Sequence, residues 1–235
     1  MRSVTEDRTT RARIRDAAIR RFARDGMSAS LRAIAADAGV SAGLIVHHFG
    51  SRAGLRQACD DHVLTQIRDA KSSVLVGPSA PSALLAQIAQ VEGYAPLVGY
   101  AIRALQAGGS LADRFIDHFV DDLKTYLRAA EEAGNIRPSR DPEGRAELLS
   151  EMAIGAMMFR FSRLGPDIDL DDLPRWLRET TDRISLPALE LYTEPLLTDS
   201  SLLDTYLAAH GSGHGGGGAA ARDDAAAADK ESHQL

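Results

Sequence analysis

Cysteine is almost absent from this chain of 235 residues, in which Cys59 stands alone. One thiol excludes an intramolecular disulfide and denies a metal any site built on cysteine pairs. Long apolar runs are missing as well. Nothing approaches the roughly 20 consecutive apolar residues that a membrane-spanning helix requires. Met1 to Thr10 is polar and charged, without the apolar core of a signal peptide, so a cytosolic location and no membrane partner are expected. The alternation of a half-buried strand and the turn pairs of a hairpin are lacking, and no sheet is expected. There is no phosphate-cradling glycine loop and no nucleophile elbow. His210 and His214 stand four apart, but across Gly211 and Gly213 in a stretch read as coil. The reading is of a protein that is not an enzyme, with no catalytic residues, metal or cofactor.

What is present is an ordinary globular balance. Hydrophobic residues make up 44% and charged residues 26%, enough for a substantial core in one large domain or two modest ones. The net charge of -6 argues against a polyanion partner until its distribution is read. Residues 1–56 hold eleven arginines and no lysine against five acids, a balance of +6, and the rest of the chain stands at -12. A small basic head on an acidic body suggests that the head alone meets a polyanion, although arginine-rich helix faces are also simply solvated.

The punctuation is helical throughout. Residues 9–25 read as a first helix, with Ile14, Ala18 and Phe22 on one stripe and Gly26 as its stop. Ser30 caps a second helix that runs to Ala38 before Gly39. Ser41 caps a short third ending near Phe49, and Ser51 caps a long fourth from Arg52 to about Val76. Gly77-Pro78-Ser79-Ala80-Pro81 is a break. Two segments follow at 82–92 and 94–107, then a helix capped by Ser110 with Leu111, Phe115, Phe119, Leu123 and Leu127 on its apolar side. Another spans about 141–164, with Leu148, Leu149, Met152, Ala156 and Phe159 as its apolar side. After Gly165-Pro166, Leu173 to Tyr192 reads as helix interrupted at Pro187. From Gly211 the composition turns to Gly and Ala, and residues 211–235 read as a disordered tail, because poly-Gly cannot offset its ordering entropy. The fold class is therefore all-α, with a head at 1–56 and a helical body at 57–200.

One stretch is specific. Between Leu31 and Phe49, Ala35 is small where two short helices would touch. Gly39 follows four residues later, where the turn needs a left-handed conformation. Ile34, Ala38, Val40, Ile45 and Phe49 supply an apolar wedge between them. This is the pattern of a helix-turn-helix, and on these residues alone an ordinary αα-corner stays open.

The run from Ser30 to Leu55 resembles the DNA-binding domain of the tetracycline-repressor (TetR) family, which shows an Ile-Ala-x-x-Ala-Gly-Val-Ser-x-Gly segment, a Tyr-x-x-Phe and a Ser-Lys-type turn. The match covers roughly residues 10–57. Val46 stands where the family commonly has tyrosine, Leu44 where a polar residue is frequent, and Arg52 where lysine is usual. The resemblance implies a regulator that binds a double-stranded operator as a homodimer and answers a small-molecule effector. A repressor is the first reading; an activator of the same fold and a helical interaction module without specific DNA binding are the alternatives.

It also implies roles. The third helix would enter the major groove and present Ser41, Ala42, Gly43, Leu44, Val46 and His47 to base edges, with Leu44 and Val46 on thymine methyls. His48 either reaches the DNA or is partly buried beside Phe49. Ser30 and Arg32 at one helix start, and Ser51 and Arg52 at another, are placed to hold phosphates, with Arg8, Arg11 and Arg13 adding to them. In the body, segments 141–164 and 171–194 are the dimer candidates, with Ala153, Gly155, Ala156, Met157, Met158, Phe159 and Trp176 available for contact or for the monomer's own core. Effector candidates, chosen by type and position, are Tyr94, Tyr100, Arg103, Gln106, His118, Tyr126 and Met152. Cys59 is either an inert small hydrophobe or a redox switch.

Overall fold

The computed structural model describes residues 4–76, 80–164, 171–194 and 196–210. Among these residues every regular element is helical, and no helix is long and apolar enough to cross a membrane. Residues 77–79 of the first break, the Gly165-Pro166 break and the tail at 211–235 lie outside the described residues, whereas Ala80 and Pro81, read as the end of the first break, are already helical.

Helix α1, Val4–Asp25, begins earlier than the expected residue 9 and buries Ile14, Ala18 and Phe22. α2, Leu31–Ala38, opens on Ser30, whose hydroxyl oxygen accepts the Ala33 N–H at 3.2 Å. Gly39 then adopts φ 62° and ψ 39°, the left-handed conformation a side chain would resist. This lets its N–H close on the Ala36 carbonyl and the Val40 N–H on the Ala35 carbonyl at 2.9 Å. α3, Ala42–Phe49, is capped by Ser41, and α4, Arg52–Leu75, by Ser51. Between them Gly54 has no room for a side chain, because a Cβ there would overlap the Phe49 carbonyl oxygen.

The chain continues through α5, Ala80–Ala89, a 3₁₀ turn at Val91–Tyr94, and α6, Ala95–Ala107. α7, Gly109–Glu132, starts from Gly108, which offers no side-chain cap. The expected cap at Ser110 therefore lies inside the helix. α7 closes as expected at Gly134-Asn135, where the Asn135 N–H returns to the Ala130 carbonyl at 2.9 Å. α8, Pro142–Phe161, is capped by Asp141. α9, Leu173–Thr193, carries Pro187 inside it. The proline forfeits one backbone hydrogen bond without ending the helix, which corrects the expected interruption.

The chain forms two compact units, residues 1–184 and 185–235. In the first, the core of α1–α4 does not stop at the expected boundary of residue 56. Ile14, Phe22, Ile34, Ile45, Leu55, Cys59 and Val63 belong to one buried cluster with Tyr100 and Ala104 of α6 and Phe115 of α7. A second cluster joins Leu123, Tyr126 and Leu127 of α7 to Ala146 of α8, and a third sets Ala95 against Leu173 and Leu177. α8 departs from expectation, since Ala146, Ser150 and Phe161 face inward. Leu148, Met152 and Phe159 are 56%, 42% and 64% exposed. The second unit holds the end of α9 and a helix that the sequence reading did not anticipate, α10, Ser201–His210.

Candidate nucleic-acid interface

The turn at Gly39 sets α2 against α3 with Ile34, Ala35, Ala38 and Ile45 buried in the angle. That leaves α3 with two unlike sides. Ile45 and Phe49 anchor it, while Ser41, Gly43, Val46 and His47 face solvent and Ala42 and Leu44 are half-buried. Val46 is 45% exposed, unusual for a valine so close to a core. An apolar side chain beside a glycine that admits close approach suits a thymine methyl group. His47 is the one exposed side chain of α3 able to hydrogen-bond a base edge.

His48 points the other way. Its side chain is 4% exposed, and Nδ1 lies 3.7 Å from the Asp7 carboxylate of α1. Its Nε2 is buried without a hydrogen-bond partner. The ring packs edge-on to Phe49 with centroids 6.3 Å apart, and the Arg11 guanidinium lies over the Phe49 ring at 5.0 Å. Of the two readings open for His48 the structure gives the buried one, and a direct base contact by His48 is corrected.

The phosphate candidates surround this face. Ser30, Ser41 and Ser51 each cap a helix, so three helix N-termini with their free N–H groups open beside exposed Arg32 and Arg52. Arg52 has a second engagement that sequence reasoning missed. One Nη donates to the Met27 carbonyl at 2.6 Å and ties the start of α4 to the α1–α2 turn. Arg21 was missed as well. Its guanidinium grips Asp37 of α2 through two hydrogen bonds, at 2.6 and 2.5 Å, and Asp25 at 2.8 Å. Those bonds hold both carboxyls below the usual carboxylate range and push Arg21 up. The (i, i+4) spacing of Arg21 and Asp25 was visible in sequence; the pairing with Asp37 was not.

Behind the interface, α6 is joined to the head. The Tyr100 hydroxyl donates to Asp60 of α4 at 2.6 Å, and its ring meets Phe22 edge-on at 6.1 Å. Burial pushes the Asp60 carboxyl up, against the hydrogen bond from Tyr100 and the charge of Arg56. Arg103 donates to the Ala23 carbonyl near the end of α1 at 3.2 Å and to Gln106. Tyr100 and Arg103 are therefore parts of a head–body joint, a role that their reading as effector-lining groups did not include. The remaining candidates do not converge either. Tyr94 is half-buried beside Leu173, Tyr126 sits in the α7–α8 cluster, and Gln106 and Met152 are exposed. His118 lines a shallow cleft of about 220 Å³ with Arg68, Asp121 and Asp122. Cys59 is fully buried, its thiol pushed up chiefly by that burial and directed at the Arg15 carbonyl at 3.8 Å, which favours the inert reading.

The chain is similar to known proteins. The family model described as bacterial regulatory proteins, tetR family, matches residues 14–59. That of the tetracyclin repressor-like C-terminal domain matches residues 92–198. The chain is 43% identical over 207 residues to the HTH-type transcriptional regulatory protein RaaS of Mycobacterium tuberculosis, covering 88% of this chain and 96% of that protein. Its fold is similar to a solved structure from Rhodococcus sp. assigned to the TetR family, with TM-score 0.52 and 22% identity over 74% of this chain and 97% of that one. A TetR-family transcriptional regulator from Pectobacterium atrosepticum gives TM-score 0.51 and 19% identity over 83% of this chain and 100% of that one.

Proposed function

Because this chain belongs to the TetR family of bacterial transcriptional regulators, we propose that it is a cytoplasmic repressor released from a palindromic operator by a small-molecule effector. In this reading residues 1–56 hold the DNA and residues 57–200 dimerise and receive the effector. The observation that carries it is the two-sidedness of α3, with Ile45 and Phe49 in the core and Gly43, Val46 and His47 turned outward. A helix so anchored can enter a major groove without disturbing its own support.

Specific contact falls to few side chains. His47 reads a base edge and Val46 packs on a thymine methyl, while Ser30, Arg32, Ser51 and Arg52 position the phosphates. A second copy supplies the other half-site, about 34–36 Å away or a multiple of that. The exposed Leu148, Met152 and Phe159 support α8 as part of the dimer surface. The effector acts by population shift, binding better to a body whose joint at Tyr100–Phe22 and Arg103–Ala23 sets the heads out of register.

The test is operator selection from random duplex DNA by the full chain. Two-fold symmetric half-sites are expected, with a base preference that changes in His47→Ala. Retention of all duplexes alike, with the same salt dependence in His47→Ala, overturns the reading.

A further inference from the structure

We propose that the groove between α1 and α4, where head meets body, is a second ligand site, built for a small organic anion with a flat apolar body such as an aromatic carboxylate. The cleft measures about 330 Å³ and ends on Phe49. Helical spacing makes its walls. Arg8, Arg11, Ala12 and Arg15 fall at i, i+3, i+4 and i+7 on α1, and Ala58, Asp61, His62 and Thr65 repeat that spacing on α4.

Charge is unbalanced there. Three guanidinium groups face one carboxylate, Asp61, whose oxygen already accepts from the Gln57 amide at 2.7 Å. Arg15 pairs with Asp16 at 2.7 Å, whereas Arg8 and Arg11 have no ion-pair partner among the described residues. His62 lines the same wall, its protonated form disfavoured chiefly by burial, with the charge of Arg15 adding to that and the charge of Asp16 opposing it. The floor is apolar, formed by Ala12, Ala58 and Phe49 with the Arg11 plane already over the phenyl ring. Guanidinium forks take carboxylates in bidentate geometry, and an aromatic body would extend the stack on Phe49.

The volume lies at the small end of ligand sites, which run from about 300 to 1,000 Å³, and suits one or two fused rings. A DNA phosphate offers the same charge but no flat body to occupy the floor. The site is distinct from an effector pocket in the body, and through Phe49 its occupant would bear on the end of α3. Anion and operator would then be thermodynamically linked in the head itself.

The probe is 2-naphthoate titrated calorimetrically into the full chain, with the uncharged 2-naphthalenemethanol as its isostere. Removing charge-assisted hydrogen bonds predicts binding weakened roughly tenfold or more in Arg8→Gln/Arg11→Gln, and similarly for the alcohol in the unmodified chain. The His62 ring proton, followed by NMR, should titrate at higher pH when naphthoate saturates the site. Equal affinity of the double variant and the parent overturns the proposal, as does equal affinity of acid and alcohol. So does a double variant that loses only operator affinity and salt dependence, because the arginines then serve a DNA phosphate. Operator binding is read separately, so failure here leaves the regulator reading standing.

Discussion

The phenol of Tyr100 on α6 and the carboxylate of Asp60 on α4 meet at 2.6 Å inside the core that the head shares with the body. Tyr100 is fully buried there, whereas the Asp60 side chain stays 15% exposed with Arg56 at 4.0 Å, so the bond ties the rim of that core together.

Tyr100→Phe deprives the half-buried Asp60 of its donor and leaves it only Arg56, 4.0 Å away. A stranded polar group costs about 1–3 kcal/mol, so urea denaturation should show a loss of that order. The same variant should alter the effector's influence on operator affinity more than operator affinity alone. Unchanged stability would mean the bond is absent in solution.

Arg21 gives a pH dependence of known sign. Asp25 and Asp37 have folded pKa values below the ordinary 3.8 because Arg21 binds their ionised forms. Their contribution is complete above the unfolded value and is lost as pH falls from about 5 through the folded values. Asp37→Asn should flatten that part of the acid limb in melts taken from pH 7 to pH 2. Both carboxylates are partly exposed, so the effect is modest and screened by salt.

Gly54→Ala sets helix propensity against sterics. In an open helix the change gains about 1 kcal/mol. Here the new Cβ would overlap the Phe49 carbonyl oxygen, so the variant should melt lower and weaken operator binding through displacement of α3. A higher melting temperature would show that the α3–α4 junction is looser than described.

Arg52→Ala should do two things at once. Loss of a phosphate contact lowers affinity evenly across sequences and reduces the salt slope by about one. Loss of the bond to the Met27 carbonyl loosens the α1–α2 turn, so melting temperature should fall as well. His47→Ala should leave stability unchanged and alter only base preference.

Phe159→Asp tests α8. The side chain is solvent-facing in the single chain, so the variant should fold. Sedimentation equilibrium should then show dissociation to monomers and a matching loss of operator affinity. A variant that stays dimeric moves the interface elsewhere.

The head was largely legible because its signals are local. Ser30, Ser41 and Ser51 each cap the helix they were assigned to, and Gly39 takes the left-handed turn its spacing required. The body was less legible for two reasons. α8 carries apolar residues on more than one side, and Leu148, Met152 and Phe159 satisfied the stripe criterion while facing outward. Charged side chains there also work at a distance. Arg178 of α9 donates to the Ile88 and Ala89 carbonyls at the end of α5 and to Glu92, closing a helix far from it in sequence. No local pattern announces such bonds, nor the Tyr100–Asp60 pair. His48 could not be told from His47 by residue type, because a rotation of about 100° along the helix separates solvent from core.

The lone thiol, that of Cys59, sealed between α1 and α4, carries an experimental consequence. An alkylating reagent cannot reach it while those helices stay packed, so its rate of labelling would clock their excursions apart. With no other thiol to compete, a mass shift read over time would reveal whether operator or effector slows that breathing, without any substitution in the chain.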